Sequence, residues 1–184
     1  MHVTLRLGPR LPSLRTSPNH RFVLECLAAA TKEGFRVVHY AALSNHLHLV
    51  CEASDATSLS RGVQGLCVRL ARGLNRTWLR RGRVFDDRFH ARLLRMPREV
   101  RIALNYVLQN AVKHAVRFRE ALDPCSSARW FEGWKPTIEA AGSAGNPLRS
   151  ARTWLLRTGW KRWGLLVPTP TSGAELCRIK TDRC

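Results

Sequence analysis

The chain has few acidic residues, no long apolar run and no paired cysteine motif. Its 184 residues hold 13 Asp and Glu against 31 Lys and Arg, which leaves a formal net charge of +18. So large an excess of one sign favours an anionic partner, either nucleic acid or a membrane surface. No apolar run approaches the ~18–20 residues of a bilayer-spanning helix, and residues 1–12 lack the apolar stretch of a signal peptide. We therefore expect no membrane insertion; the charge alone leaves nucleic acid and an anionic membrane surface open as partners, of which we favour nucleic acid in a cytoplasmic, nucleoid-associated protein.

The six cysteines are scattered, and none belongs to a CxxC pair or to a Cys–His ligand spacing. This absence argues against a zinc-binding module. Cys26, Cys51 and Cys67 lie among apolar residues. Such surroundings indicate reduced core thiols of a cytosolic protein.

The hydrophobic pattern predicts the order strand, helix, strand, strand, helix, strand, and then a further helix. The predicted strands cover residues 2–7, 35–43, 46–52 and 89–96, and the predicted helices cover residues 19–32, about 57–80 and 97–117. This order is that of the split βαβ, or ferredoxin-like, fold: an α+β protein with an antiparallel sheet and helices on one face. Five of the six Trp lie between residues 130 and 163, where residues 153–163 predict a short amphipathic helix in a C-terminal extension.

The run from Ser44 to Val50 contains His46 and His48 in a predicted strand. Residues two apart in a strand point to the same face, so the two imidazoles project side by side. Such a pair suits Mn, Zn or a similar divalent ion. An HxH pair also occurs by chance as ordinary half-buried histidines, and the pattern alone leaves that alternative open.

Tyr106 is one of only two tyrosines and precedes Asn110 by four residues, with Lys113 further along the same side of the predicted helix. A phenolate that attacks phosphorus forms a covalent phosphotyrosine and conserves the bond energy for rejoining. The amide oxygen of Asn110, as a third metal ligand, would leave the site open to phosphate oxygens and water. The alternative is a surface tyrosine that covers the core. Tyr40 falls within a strand pattern and is expected to be structural.

Arginine is concentrated in the middle of the chain. Between residues 61 and 101 there are twelve Arg and three acidic residues. Four of the Arg are spaced by three, four and four residues and so share one helix face: Arg69, Arg72, Arg76 and Arg80. We interpret this stripe as a phosphate-binding surface rather than a merely solvated face. The C-terminal Trp could stack on unpaired bases, but for most of them we favour packing of the extension onto the core.

Four ordered segments carry a family resemblance: SNHLHLV at 44–50, LSRGVQ at 59–64, LNRTWLRRGRVFDDRFHA at 74–91 and NYVLQNAVKH at 105–114. Together they resemble the HUH single-tyrosine transposase superfamily (IS200/IS605-like), and within it the REP-associated tyrosine transposases. The resemblance covers about residues 1–117. Two departures are Ser44 and Ala111, where the family often has Pro.

The resemblance implies a ferredoxin-like nuclease domain over residues 1–120, followed by a Trp-rich extension and basic tail over residues 121–184. It implies an enzyme that cleaves single-stranded DNA near hairpins through a 5′-phosphotyrosine on Tyr106. It also implies Mg²⁺ or Mn²⁺ held by His46, His48 and Asn110, with Gln109 as the competing third ligand, and a homodimer, with a monomer as the alternative.

Two other functions compete with this interpretation. A non-catalytic binder of hairpin DNA or RNA, derived from a transposase, would use the Arg surface but has no need of a phenol beside a metal. A different HxH phosphoesterase is disfavoured because the chain has no second HxH or HxT motif. The set of His46, His48, Tyr106 and Asn110 therefore favours the transposase-like enzyme.

Overall fold

The computed structural model describes residues 1–114, 116, 118, 120–136 and 145–169. Its elements are β1 (His2–Arg6), α1 (Ser17–Ala28), β2 (Phe35–Ala42), β3 (His46–Ala53), α2 (Ala56–Thr77), β4 (His90–Arg92), α3 (Pro97–Leu108), α4 (Asn110–Lys113), α5 (Trp154–Arg157), and 3-10 turns at Ser127–Trp130 and Gly159–Trp163. The four strands form one antiparallel sheet in the order β2-β3-β1-β4. This order and connectivity confirm the predicted α+β, ferredoxin-like fold.

The central hairpin is set by a short turn. Ser44 and Asn45 connect β2 to β3, and the backbone N–H of Leu43 donates to the carbonyl of His46 at 2.9 Å. On its other side β3 pairs with β1, and this register places Thr4 directly opposite His48. Since β3 and β1 are the two inner strands, His48 lies in the middle of the sheet.

The first face of the sheet is covered by α1 and α2. Leu5, Leu47 and Leu49 point into this core together with the apolar sides of both helices. Two glycines on α2 permit a close approach. A Cβ at Gly73 would lie 1.8 Å from the ring of Phe22 on α1, and one at Gly62 would lie 2.3 Å from the ring of Phe35.

The opposite face is covered by α3. Val38, Ala41 and Val50 form a second apolar patch on the sheet, against which Val100, Leu104 and Val107 of α3 pack. The expectation of helices on one face therefore holds for α1 and α2, while α3 lies on the other face because the strands are apolar on both sides. His46 and His48 alternate with Leu47 and Leu49, so they share the face of α3.

The C-terminal extension packs on the same face as α3. Phe131, Trp134, Trp160 and Leu166 are buried there, and the Trp134 indole N–H donates to the Ala128 carbonyl at 2.9 Å. The predicted helix over 153–163 is observed as α5 followed by a 3-10 turn. None of the described helices is long and apolar enough to cross a membrane.

Two predicted elements are shorter than expected. The fourth strand spans three residues, and α3 ends at Leu108 rather than continuing to residue 117. The helix is interrupted at Gln109, whose backbone (φ −117°, ψ 17°) departs from helical values before α4 begins. Arg117 lies outside the described residues.

Candidate active site on the sheet

The structure places the two histidines of β3 side by side. The rings of His46 and His48 are nearly parallel, with an interplanar angle of 3° and centroids 6.1 Å apart. His48 is 6 % exposed, whereas His46 is more accessible at the start of the strand. The period of two residues in a strand predicted this arrangement.

Both imidazoles are held through Nδ1. The Nδ1 of His46 is 2.7 Å from Oδ1 of Asn45, and the Nδ1 of His48 is 3.1 Å from the Thr4 hydroxyl and 3.3 Å from Nε2 of His2. No hydrogen bond from the described residues engages Nε2 of either β3 histidine. A histidine whose Nδ1–H is held by an oxygen acceptor presents Nε2 as the free lone pair, which is the usual arrangement of a metal-binding histidine.

The surroundings keep these histidines neutral. Burial lowers the pKa of His48 to about 4, and the neighbouring His2, His46 and His114 act in the same direction. Burial also lowers the pKa of His2 to about 4, with a further contribution from the N-terminal ammonium. The pKa of His46 is lowered by burial and by Arg6. Neutral imidazole is the form that binds a metal ion.

Tyr106 of α3 contacts His48 and His2 on the face of the sheet that α3 covers. Its ring centroid lies 5.3 Å from that of His48 and 5.7 Å from that of His2, in edge-on contacts. The ammonium of Lys113 lies 5.0 Å from the centroid of the Tyr106 ring. The structure thus brings Tyr106, Lys113 and the histidine pair together, although they are far apart in sequence.

The amide of Asn110 has an unusual environment. The residue is fully buried, and among the described residues neither its side-chain nitrogen nor its side-chain oxygen has a hydrogen-bond partner. A buried polar group without a partner costs about 1–3 kcal/mol, so its retention calls for a ligand or another explanation. By contrast, the Gln109 amide donates to Asn105 Oδ1 at 2.7 Å and to the Val167 carbonyl at 3.1 Å, and accepts from the backbone of Thr169.

These residues are the candidate donors for a metal ion. Among the described residues, no group of three His, Cys, Asp or Glu side chains could hold a metal ion. A metal at this site would therefore need a ligand of another kind beside His46 and His48. The amide of Asn110, which has no partner among the described residues, is the candidate for this ligand, because two neutral imidazoles with one amide oxygen would suit a divalent cation.

Sequence reasoning missed the contribution of β1. His2, Thr4 and Arg6 alternate along this strand and lie opposite Val50, His48 and His46 of β3. The alternation of polar and apolar residues from His2 to Arg6 predicted a polar strand face. It did not identify β3 as the neighbouring strand, which is what brings Thr4 and His2 to His48.

The structure does not bring the arginine stripe to the histidines. Arg69, Arg72 and Arg76 are exposed on α2, which covers the opposite face of the sheet. Arg80 lies beyond the end of α2, where its guanidinium donates to Asn75 Oδ1 at 3.1 Å and to the Arg83 carbonyl at 3.3 Å. The cations on the side of the histidines are different residues: Arg6, Arg92 of β4 opposite His2, and Lys113.

Comparisons with known proteins identify a structural neighbour. No family model matches the chain, and no curated protein matches it in sequence. A solved structure described as a REP-associated tyrosine transposase bound to a REP hairpin matches with a TM-score of 0.57 at 16 % sequence identity. The match covers 68 % of this chain and 74 % of that chain. At this level of identity the likeness shows a shared fold.

Proposed function

We propose that the chain is a metal-dependent, single-stranded DNA endonuclease and strand transferase of the HUH single-tyrosine type, acting near hairpins. The convergence of Tyr106 with His46 and His48 carries this proposal. Each residue type is ordinary alone, but the ring centroid of the Tyr106 phenol lies 5.3 Å from that of the buried, neutral His48, which has His46 beside it, and this arrangement suits phosphotyrosine chemistry. The shared fold with a hairpin-bound tyrosine transposase supports the same substrate class.

In this proposal His46, His48 and Asn110 hold a divalent cation, Mg²⁺ or Mn²⁺. When bound, the ion would supply Lewis-acid polarisation of the scissile phosphate. Thr4 and Asn45 orient the two imidazoles from the side away from the cation, through the Nδ1 contacts. Asn110 is favoured over Gln109 as the third ligand, because the amide of Gln109 is already engaged on both of its atoms.

Tyr106 acts as the nucleophile. The phenol releases its proton to solvent water, its oxygen forms a bond to phosphorus as the bond from phosphorus to the 3′ oxygen breaks, and the departing 3′ oxygen takes up a proton from solvent. The 5′ phosphate stays on the protein as a tyrosyl ester, and attack by a free 3′ hydroxyl reverses the step and joins two ends. The nearby ammonium of Lys113 stabilises the negative charge of the phenolate.

Two basic surfaces would serve DNA in different ways. Arg6, Arg92 and Lys113 surround the histidines and would contact the phosphates near the cut. The stripe of Arg69, Arg72 and Arg76, with Arg80, lies on the other side of the sheet and would bind phosphates remote from the cut, such as those of the hairpin stem. The homodimer, the cytoplasmic location and the domain boundary at residue 120 stay predictions.

The test is a covalent adduct assay. The protein is incubated with Mn²⁺ and hairpin oligonucleotides carrying unpaired flanks, and a denaturing gel separates free from protein-linked DNA. Tyr106→Phe should abolish both cutting and the adduct while retaining the fold. Tyr40→Phe is the matched control, because Tyr40 is buried on the other face of the sheet, where its hydroxyl lies 2.9 Å from Nε2 of His20.

Three outcomes separate the candidate functions. An adduct in the wild type and in Tyr40→Phe, but not in Tyr106→Phe, supports the strand transferase. Cutting that survives in Tyr106→Phe would mean that water attacks and that the protein is a simple nuclease. Hairpin binding without any cutting would favour the non-catalytic binder.

A further inference from the structure

Four tryptophans of the C-terminal extension, those that lie on the side of α3, fall into two groups. Trp134 and Trp160 are buried and anchor the extension against α3. Trp154 and Trp163 are 54 % and 58 % exposed, so packing does not account for them. Each of these two carries an arginine over its ring, Arg162 on Trp154 and Arg98 on Trp163.

Trp163 differs from Trp154 in its position beside α3. The Arg98 guanidinium that lies 5.8 Å from the centroid of its ring belongs to the first turn of α3. Arg101, one turn further on, donates to the carbonyls of Gly164 and Leu165 at 3.2 and 3.4 Å. These contacts fix the backbone immediately after Trp163 against the helix that carries Tyr106.

A ridge on α3 connects Trp163 with Tyr106. Arg98, Ile102 and Tyr106 are four residues apart in turn, and such residues lie one above the other on a helix surface. Ile102 is 56 % exposed, so this ridge presents an apolar side chain to solvent between Arg98 and Tyr106. Eight residues of helix span about 12 Å, and a stacked strand advances about 3.4 Å per nucleotide, so the ridge is about three to four nucleotides long.

The charge around the ridge suits a polyanion. Arg98 on the ridge, Arg95 just before α3, and Lys161 and Arg162 just before Trp163 in sequence are all exposed. The one carboxylate in the first turn of α3 belongs to Glu99, which accepts from the backbone N–H groups of Arg95 and Met96 at 2.7 and 3.1 Å and pairs with Arg92 at 3.4 Å. Its charge is therefore offset locally.

We propose that the unpaired DNA strand held at Tyr106 runs along the ridge of Arg98, Ile102 and Tyr106, with a base stacked on the exposed ring of Trp163. This inference rests on the proposed function. A single strand is the occupant that fits, because unpaired bases expose the faces that stack on Trp and contact Ile, whereas the bases of a duplex are stacked on each other. The arginines bind the phosphates of the same strand.

The experiment measures hairpin affinity without chemistry. Tyr106→Phe protein in EDTA is titrated against labelled hairpins, and binding is followed by fluorescence anisotropy. Each hairpin has an unpaired flank on its 5′ or its 3′ side. A flank of about two nucleotides is shorter than the ridge, and one of about eight nucleotides is longer. Trp163→Ala, introduced into the Tyr106→Phe protein, removes one base stack. It should weaken binding by about 5- to 100-fold for the long-flank hairpin whose flank, 5′ or 3′, follows the ridge. Affinity for the short-flank hairpins should stay within about two-fold, and Trp163→Phe should restore part of the loss.

Trp154→Ala is the matched control, since Trp154 has a similar exposure and its own arginine but makes its ring contacts within the extension, with Arg162 and Gly159. It should leave the affinity for every hairpin unchanged. Any of three results would overturn the strand path: an unchanged affinity in Trp163→Ala, an equal loss for short and long flanks, or an equal loss in Trp154→Ala. A changed sedimentation coefficient in Trp163→Ala with unchanged DNA affinity would instead assign this face to a contact between copies. Failure of the wild type to bind any hairpin would refute the proposed function itself.

Discussion

Replacement of Thr4 by Val tests whether β1 orients the proposed metal ligand. Thr4 lies on an inner strand, directly opposite His48, and its hydroxyl is 3.1 Å from His48 Nδ1. Valine has nearly the same shape and the same β-branch, which suits a strand. Thr4→Val therefore removes the hydrogen bond with little change in packing, and leaves only His2, at 3.3 Å, to hold the His48 ring.

The expected magnitude follows from the size of this contact. A hydrogen bond between neutral groups contributes about 1 kcal/mol, which is about a five-fold change in an equilibrium constant. Removal of an outer-shell partner of a ligating histidine typically weakens metal binding by about 10- to 100-fold. Because His2 retains a contact with the same nitrogen, we expect an increase in the Kd for Mn²⁺ of about 5- to 20-fold.

The assay is a Mn²⁺ titration of the DNA-free protein, followed by electron paramagnetic resonance of the free ion. Thr4→Ser keeps the hydroxyl and should bind Mn²⁺ like the wild type. Thr16→Val is the control for the substitution, because the hydroxyl of Thr16 is exposed and, within the described part of the chain, hydrogen-bonds the Ser13 carbonyl alone, at 3.4 Å. An unchanged Mn²⁺ affinity in a folded Thr4→Val protein, or an equal loss in Thr4→Ser, would show that the contact does not orient His48.

Three further predictions concern the metal, the DNA and acid stability. His46→Ala and His48→Ala should each abolish cleavage in Mn²⁺. Both should retain hairpin affinity within a few-fold in a binding assay, because arginines supply most of that affinity. Full cleavage by the wild type in EDTA would contradict the metal requirement. The double variant Arg72→Gln, Arg76→Gln should reduce the log–log salt slope of binding by about 1.4, at about 0.7 per lost phosphate contact on a single strand, and an unchanged slope would place the DNA elsewhere. Burial lowers the pKa of His39 to about 4, so between pH 6.5 and 4 the unfolded chain binds more protons than the folded one, and stability must fall as the pH falls. Urea denaturation should therefore show that the free energy of unfolding falls less between pH 7 and pH 4.5 in His39→Gln than in the wild type, by on the order of 2 kcal/mol. Equal decreases would rule out His39 as a cause.

Local periodicity was sufficient to predict several features of the site. His46 and His48 share a strand face because side chains in a strand alternate whatever the strand's neighbours are. Leu104, Val107 and Leu108 are buried, as a helical period of 3.6 residues places them on one face of α3. The same patterns predicted the order of strands and helices, which matches the observed ferredoxin-like arrangement.

The ends of the elements were less predictable. Pro97 begins α3 as expected, since its fixed φ and missing N–H suit the first turn of a helix. The break at Gln109 has no such local signal. The side chain of Gln109 is bound by Asn105 and by the Val167 and Thr169 backbone, about 60 residues away in sequence.

Only the tertiary structure decided which groups meet. The sequence predicted a polar face on β1 and a tyrosine on a helix, but strand pairing and helix docking are contacts between residues distant in sequence. The β1–β3 register brings Thr4 and His2 to His48, the docking of α3 on the second face brings Tyr106 to them, and the docking of α2 on the first face takes its arginine stripe away. Alternation along a chain determines the direction of a side chain relative to its own strand or helix, whereas its neighbours are determined by the packing of whole elements, which minimises exposed apolar area over the entire chain.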